Sequence, residues 1–257
     1  MKCSTNPQKV LAGFVETGQF DKIGPYCQQN GISPDYVGIV RSIAGTNPEA
    51  ALNLAKQAGT RIDINAVAEI FIGFNNLQGT TAYLLEVLKE NQPEYGHLQT
   101  KLLQLNITAA PQVAETIMQM ELFTHYDKVQ IAQLCERAGL FQRALENFSD
   151  INDIRRVMLN THQINHDFLV AFFGHMTPNN ALQCLYDLLK HNKANNLNIV
   201  VQTAIKYWEQ VTVDSLIEMF ESFGSFEGIF YFLGSVLPTS EDQDVHFKYI
   251  EAAAKLN

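Results

Sequence analysis

Gln133 to Asp150 reads QLCERAGLFQRALENFSD, and this stretch decides the fold class. Upstream of its glycine, Ile131, Leu134, Cys135 and Ala138 fall at i, i+3, i+4 and i+7, one face of an α-helix. Gly139 then offers the left-handed backbone that other residues avoid. Phe141, Ala144, Leu145 and Phe148 build a second helical face. A small Ala144 lets two helices approach, while Phe141 and Phe148 fill the groove between them. The core of this turn recurs as Gly-x-Phe-x-x-Ala/Ile: Gly18, Phe20 and Ile23; Gly139, Phe141 and Ala144; Gly224, Phe226 and Ile229. A recurring helical hairpin predicts an all-α helical-repeat protein, a class that binds or builds more often than it catalyses.

Helical periodicity continues on both sides of this turn. Leu182, Leu185, Tyr186 and Leu189 repeat the spacing, as do Leu197, Val200, Val201 and Ala204, and Val213, Leu216, Ile217 and Phe220. The β-branched residues of 198–205 favour a strand on propensity alone. The stripe that runs on to Trp208 outweighs that preference. Asn6-Pro7, Ser33-Pro34, Asn47-Pro48 and Thr177-Pro178 each place a capping side chain before a proline, the N-cap and first position of a helix. Pro111 opens a further helix, and Asp127 with Gln130 reads as a capping box. Gly31, Gly45, Gly59 and Gly139 follow helical runs as stops. The sum is roughly sixteen or seventeen short helices, about eight stacked antiparallel hairpins of an α-solenoid, with loops of ordinary helix–helix length. No linker stands out, so residues 1–257 read as one solenoid segment. The period is uneven, unlike a consensus tetratricopeptide array.

Bulk properties exclude several classes. The chain has 257 residues, is 46% hydrophobic and carries a formal net charge of −9. That composition folds rather than stays disordered. Its acidity argues against a nucleic-acid surface or a polybasic membrane patch, both of which need clustered Lys and Arg. Four cysteines, Cys3, Cys27, Cys135 and Cys184, form no CxxC pair and read as free thiols of a reducing compartment. No secretory signal opens the chain. The apolar run from Ile229 to Leu237 is too short to span a bilayer, which takes about 20 residues.

No motif assembles a catalytic site or a cofactor site. His162 and His166 stand four apart, yet Gln163 occupies the place where a zinc protease needs its glutamate. Asn165-His166-Asp167 also reads as a helix start, which puts the two histidines on different elements. Surface or capping histidines are therefore expected instead of a metal site, and His125 is expected to be a loop histidine. Phosphate-binding glycine loops are absent. Gly224-Ser-Phe-Glu-Gly228 mimics a nucleophile elbow, but its centre is Phe226. The aromatic run of Phe220, Phe223, Phe226, Phe230 and Tyr231 has two readings. It is either core packing between hairpins or an exposed groove for a partner peptide, the latter centred on Phe220, Phe223, Phe230 and Tyr231.

Phe123 to Ile154, FTHYDKVQIAQLCERAGLFQRALENFSDINDI, closely resembles the clathrin heavy-chain family. So do 14–18 (FVETG), 98–103 (LQTKLL), 110–114 (APQVA), 215–223 (SLIEMFESF), 226–234 (FEGIFYFLG) and 244–249 (DVHFKY). The resemblance covers essentially the whole chain. It implies the ankle and the start of the distal leg, an α-solenoid of clathrin heavy-chain repeats. The role it implies is structural and non-enzymatic: a coat component in endocytosis and vesicle transport, on the cytosolic face of coated pits and vesicles. The implied partners are other heavy-chain legs. Light chain and adaptors would engage parts not recognisable here, and membrane contact would come only through adaptors. The propeller, knee, light-chain-binding region and hub are not recognisable, so a piece of a longer chain is expected. The rivals are a solenoid platform for an adaptor or regulatory peptide, and a related solenoid of another vesicle coat or a vacuolar tethering complex.

Overall fold

The computed structural model describes residues 6–256, and for Thr60 the backbone alone. Sixteen α-helices and no strand occur among the described residues. They fall into two compact units that divide between Leu134 and Cys135. The first holds α1 (Pro7–Glu16), α2 (Ile23–Asn30), α3 (Tyr36–Ala44), α4 (Pro48–Ala58), α5 (Ile64–Gly73), α6 (Leu77–Val87), α7 (Gly96–Ala109) and α8 (Pro111–Gln119). The division falls within α9 (Lys128–Arg137). The second unit continues with α10 (Phe141–Asn147), α11 (Ile151–Met158), α12 (His166–Phe172), α13 (Pro178–Val211), α14 (Val213–Ser222), α15 (Phe226–Val236) and α16 (Gln243–Leu256).

Within each unit a helix packs on its successor and often on the one after. In the first, α3 meets α4 and α5, α4 meets α6, α5 meets α6, α6 meets α7 and α7 meets α8. In the second, α13 meets α14 and α15, α14 meets α15 and α15 meets α16. This neighbour-on-neighbour order is that of an α-solenoid: a short hairpin cannot bury its own apolar faces, so adjacent hairpins supply the cover. The cores are aliphatic and aromatic. Leu54, Val67, Phe71, Tyr83 and Leu102 are fully buried in the first unit, and Phe173, Leu185, Leu216, Phe220 and Phe232 in the second. Each such side chain contributes about 1.5–3 kcal/mol.

Capping sets the element boundaries. Asn6, Asn47 and Thr177 cap helices whose first residue is proline, and Pro111 opens α8. The Asp127 carboxylate accepts the Gln130 N–H at 3.0 Å. Ser33-Pro34 behaves differently from the expectation. Helix α3 starts two residues later, and Asp35 caps it by accepting the Gly38 N–H at 2.9 Å. Proline holds the residue before it in extended backbone, and Asp35 reaches the orphan amides directly. Gly31 ends α2 in left-handed backbone as expected. Gly45 ends α3 with a right-handed φ of −77°. Its use is space: the Phe74 ring lies 2.9 Å from where a Cβ would stand.

The 198–205 segment is helical, inside α13. That element is two helices joined at a break. Asn192 leaves helical backbone (φ −158°, ψ 92°), and its side chain accepts the Asn195 N–H at 3.1 Å, so it caps the second helix. The buried Asn196 amide donates to the Leu188 carbonyl at 2.8 Å and so bridges the break. The Asn196 oxygen accepts the Thr161 hydroxyl at 2.7 Å and ties the break to the 161–163 turn.

Candidate functional site: hairpin turns and surface grooves

The three Gly-x-Phe turns share one backbone geometry. Gly18, Gly139 and Gly224 have φ of +69°, +77° and +57°. In each, the glycine N–H donates to the carbonyl three residues back, and the next N–H reaches five residues back. The longer bonds are Gln19 to Phe14 (2.8 Å), Leu140 to Cys135 (2.8 Å) and Ser225 to Phe220 (2.9 Å). This is the Schellman closure of a helix C-terminus, which satisfies carbonyls that the helix leaves orphaned. Phe20, Phe141 and Phe226 each open the next helical turn and are half-buried. Ile23, Ala144 and Ile229 are 0%, 0% and 2% exposed and carry the inward packing. Ala138 does not join that face. It is exposed, because α9 ends at Arg137 and the chain is already turning toward Gly139.

A further copy escapes the sequence pattern. Asn75 has φ +54°, its N–H donates to Ile72, and the Asn76 N–H donates to Phe71 at 2.9 Å. Leu77 opens α6 in the place of the phenylalanine, and Thr80 is buried in the place of Ala or Ile. Asn tolerates left-handed backbone, so the fold repeats where the letters do not. A search for Gly or Asn followed two residues on by a large apolar residue would have found it. Gly228, in sequence no more than the end of a false elbow, has a packing role. A Cβ there would stand 2.6 Å from the Phe220 ring, so its lack of a side chain lets α15 settle on α14.

The four residues of the aromatic-groove reading do not form one open face. Phe220 is fully buried against Phe232, with ring centres 6.1 Å apart. Phe223 packs on Tyr186 at 4.7 Å. Phe230 stacks on Tyr249 at 5.0 Å and meets Tyr231 edge-on at 5.5 Å. Of the four only Tyr231 is exposed, at 55%. Spacing alone cannot tell an inward from an outward aromatic when α13 and α16 both pack on α15.

The histidines stand apart. His162 lies in the 161–163 turn, and His166 starts α12 behind its Asn165 cap. No group of three or more His, Cys, Asp or Glu that could hold a metal occurs among the described residues. His125 is an exposed loop residue whose backbone N–H donates to Gln99 at 2.9 Å. Cys27, Cys135 and Cys184 are buried, and Cys3 lies outside the described residues. Burial, then the nearby Asp187 carboxylate, push the Cys184 thiol up to about 12.

Two grooves of the second unit are lined with charged side chains, and in the first of them Arg156 pairs with Asp153 at 2.7 Å. Between α11 and α13, a groove of about 550 Å³ is lined by Arg155, Arg156, Leu159, Lys190 and His191, with Asp187 among them. Asp187 grips the Arg155 guanidinium through two bonds (2.5 and 3.1 Å). Glu136 grips Arg156 through two of 2.8 Å. Those Arg156 bonds hold the Glu136 carboxyl below its ordinary range. Between α14 and α16, a groove of about 480 Å³ has Ile217 and Val245 in its floor and Asp214, Glu218 and Asp244 in its walls.

These features define a helical-repeat protein whose distinctive residues serve packing. The chain matches the family described as the region in clathrin and VPS over residues 55–197 and 204–257, and it belongs to that family. It is 47% identical to the clathrin heavy chain of Drosophila melanogaster over 255 residues, 98% of this chain. It is 44% identical to clathrin heavy chain 2 of Homo sapiens over 253 residues, and 43% identical to the clathrin heavy chain of Dictyostelium discoideum over 255. The chain spans about 15% of the length of each of these relatives. Among the described residues no helix is long and apolar enough to cross a membrane.

Proposed function

We propose that residues 1–257 act as one structural segment of a clathrin coat in vesicle-mediated transport, packing laterally against other heavy-chain legs. The observation that carries this is the stacking order of the hairpins, in a chain 43–47% identical to proteins named clathrin heavy chain. The role is mechanical. Rigid Schellman turns fix how one helix follows another, and many weak contacts between legs add through multivalency. Light chain and adaptors belong to the longer assembly, and membrane contact is made through them. The burial of Phe220 weighs against the rival peptide platform at 220–232.

Replacing the matching segment of a full-length heavy-chain relative with this chain tests the reading. Purified chimeric heavy chain is expected to assemble into cages visible by electron microscopy. A chimera that folds and trimerises but never closes cages would contradict it.

A further inference from the structure

We propose that the groove between α14 and α16 is a docking site for a basic amphipathic helix of another protein, with Phe247 as its apolar anchor and the free carboxylates of its walls as charge partners. This goes beyond the coat reading and does not rest on it.

Apolar surface on the outward side of α16 is the first observation. The helical repeat puts Phe247, Ile250 and Ala254 on one face of α16 and Val245 and Ala252 on the roughly opposite one. Val245 and Ala252 are buried, and α15 packs on that flank, where Phe230 stacks on Tyr249. Phe247 is 69% exposed and Ile250 63%. Helix α16 is therefore apolar on two sides, and α15 uses only one of them. Ile217 and Val245 continue the apolar surface into the floor of the groove beside Phe247. Side chains at i, i+3 and i+7 beside an apolar floor form the surface that a second amphipathic helix covers, ridge into groove.

Charge selects the kind of helix. Five carboxylates line the groove, Asp214, Glu218 and Glu221 from α14 and Asp244 and Glu251 from α16, against one ammonium, Lys248. Lys248 is engaged by Glu221 and lies 3.8 Å from Glu251, which Lys255 also holds at 2.7 Å. Asp214, Glu218 and Asp244 make no ion pair and no side-chain hydrogen bond among the described residues. They stand on both walls, so an acidic or purely apolar partner would cover carboxylates without a counter-charge. Asp214 and Glu218 are about 6 Å apart along α14, the spacing of lysines or arginines at i and i+4 of an incoming helix. The adjacent arginines of α11 are already held by Asp187, Glu136 and Asp153, so a second copy of this chain does not offer them freely.

Fluorescence anisotropy of a labelled synthetic helix tests the proposal, the probe being a peptide of about 18 leucines and lysines with leucine at i, i+3, i+4 and i+7. It is expected to bind the 257-residue chain, and to bind about tenfold more weakly when Glu218→Lys and Asp244→Lys are combined. Phe247→Ser should weaken it by about tenfold as well. Glu90→Lys with Glu94→Lys makes the same charge change at exposed positions of the first unit and should alter binding less than about twofold. All five side chains are exposed, and circular dichroism checks that helicity is kept. No binding of the probe, or binding that both double variants weaken equally, would overturn the proposal. So would equal binding of a lysine–serine peptide insensitive to Phe247→Ser, which would reduce the groove to an acidic cluster. Equal binding of a leucine–glutamate helix would show an apolar face with no charge preference, and the proposal would fall. It would fall too if sedimentation showed the chain alone associating through Phe247, which would assign the face to a second copy. Cage assembly by the heavy-chain chimera is a separate readout, so each of these failures leaves the coat reading standing.

Discussion

Gly139 adopts φ +77°, and a Cβ added there would meet nothing nearer than Gln163 Oε1, at 4.0 Å. Space is therefore free and the backbone alone resists substitution. Left-handed backbone costs an L-residue about 1–2 kcal/mol, and Gly139→Ala is expected to lose about 1 kcal/mol in urea unfolding at unchanged m. Asn75→Gly, at the equivalent turn, should change stability by less than about 0.5 kcal/mol, whereas the β-branched Asn75→Val should lose more than the alanine at 139. Cys184 shows a second residue-scale consequence of burial. Its thiol stays protonated at neutral pH, so a thiol reagent should label it only as the chain opens. Rapid labelling of Cys184 in the native protein would contradict its burial.

At the scale of elements, the break in α13 depends on two asparagines. Asn196 donates to the Leu188 carbonyl and accepts from the Thr161 hydroxyl at once. Asn196→Ala should cost about 1–3 kcal/mol, because buried partners lose their hydrogen bonds. The loss should appear as faster amide exchange around 188–196, not across the whole chain. The α11 ion pairs act more weakly. Glu136 is depressed by its Arg156 hydrogen bonds, so its folded value lies below its unfolded one. Its contribution is fully present above the unfolded value of about 4.3 and is lost as pH falls through the folded value. Arg156 is half-exposed, which limits the contribution to about 0.2–1 kcal/mol. Glu136→Gln should therefore lower stability at pH 7 by that amount and match the wild type in strong acid, measured by urea titration at each pH.

For the whole molecule, nearest-neighbour packing governs unfolding. Stacked hairpins unfold as coupled local units, and a break in cooperativity lowers the apparent m. Urea unfolding of the 257-residue chain should give a broader transition than a single cooperative domain of that length, with circular dichroism and Trp208 fluorescence not coinciding. A single sharp transition identical by both probes would count against hairpin-by-hairpin stacking.

Local chemistry was legible in the letters. The 3.6-residue spacing of apolar side chains, the Asn-Pro and Thr-Pro caps and the three Gly-x-Phe turns set the all-α class and most helix starts. These are effects within a few residues, where backbone sterics and orphan amides dominate. The clathrin-family resemblance was legible too, because long runs of specific residues carry it. Tertiary structure alone decided the rest. It put Phe220 inside and Tyr231 outside on one aromatic run, made Gly45 and Gly228 points of close approach, and let Asn75 stand for a glycine. It also gathered Arg155 with Lys190 into one groove, and Glu218 with Asp244 into another. The physical reason is that periodicity says which residues share a face of one helix. Only the packing of a second helix determines whether that face meets protein or water.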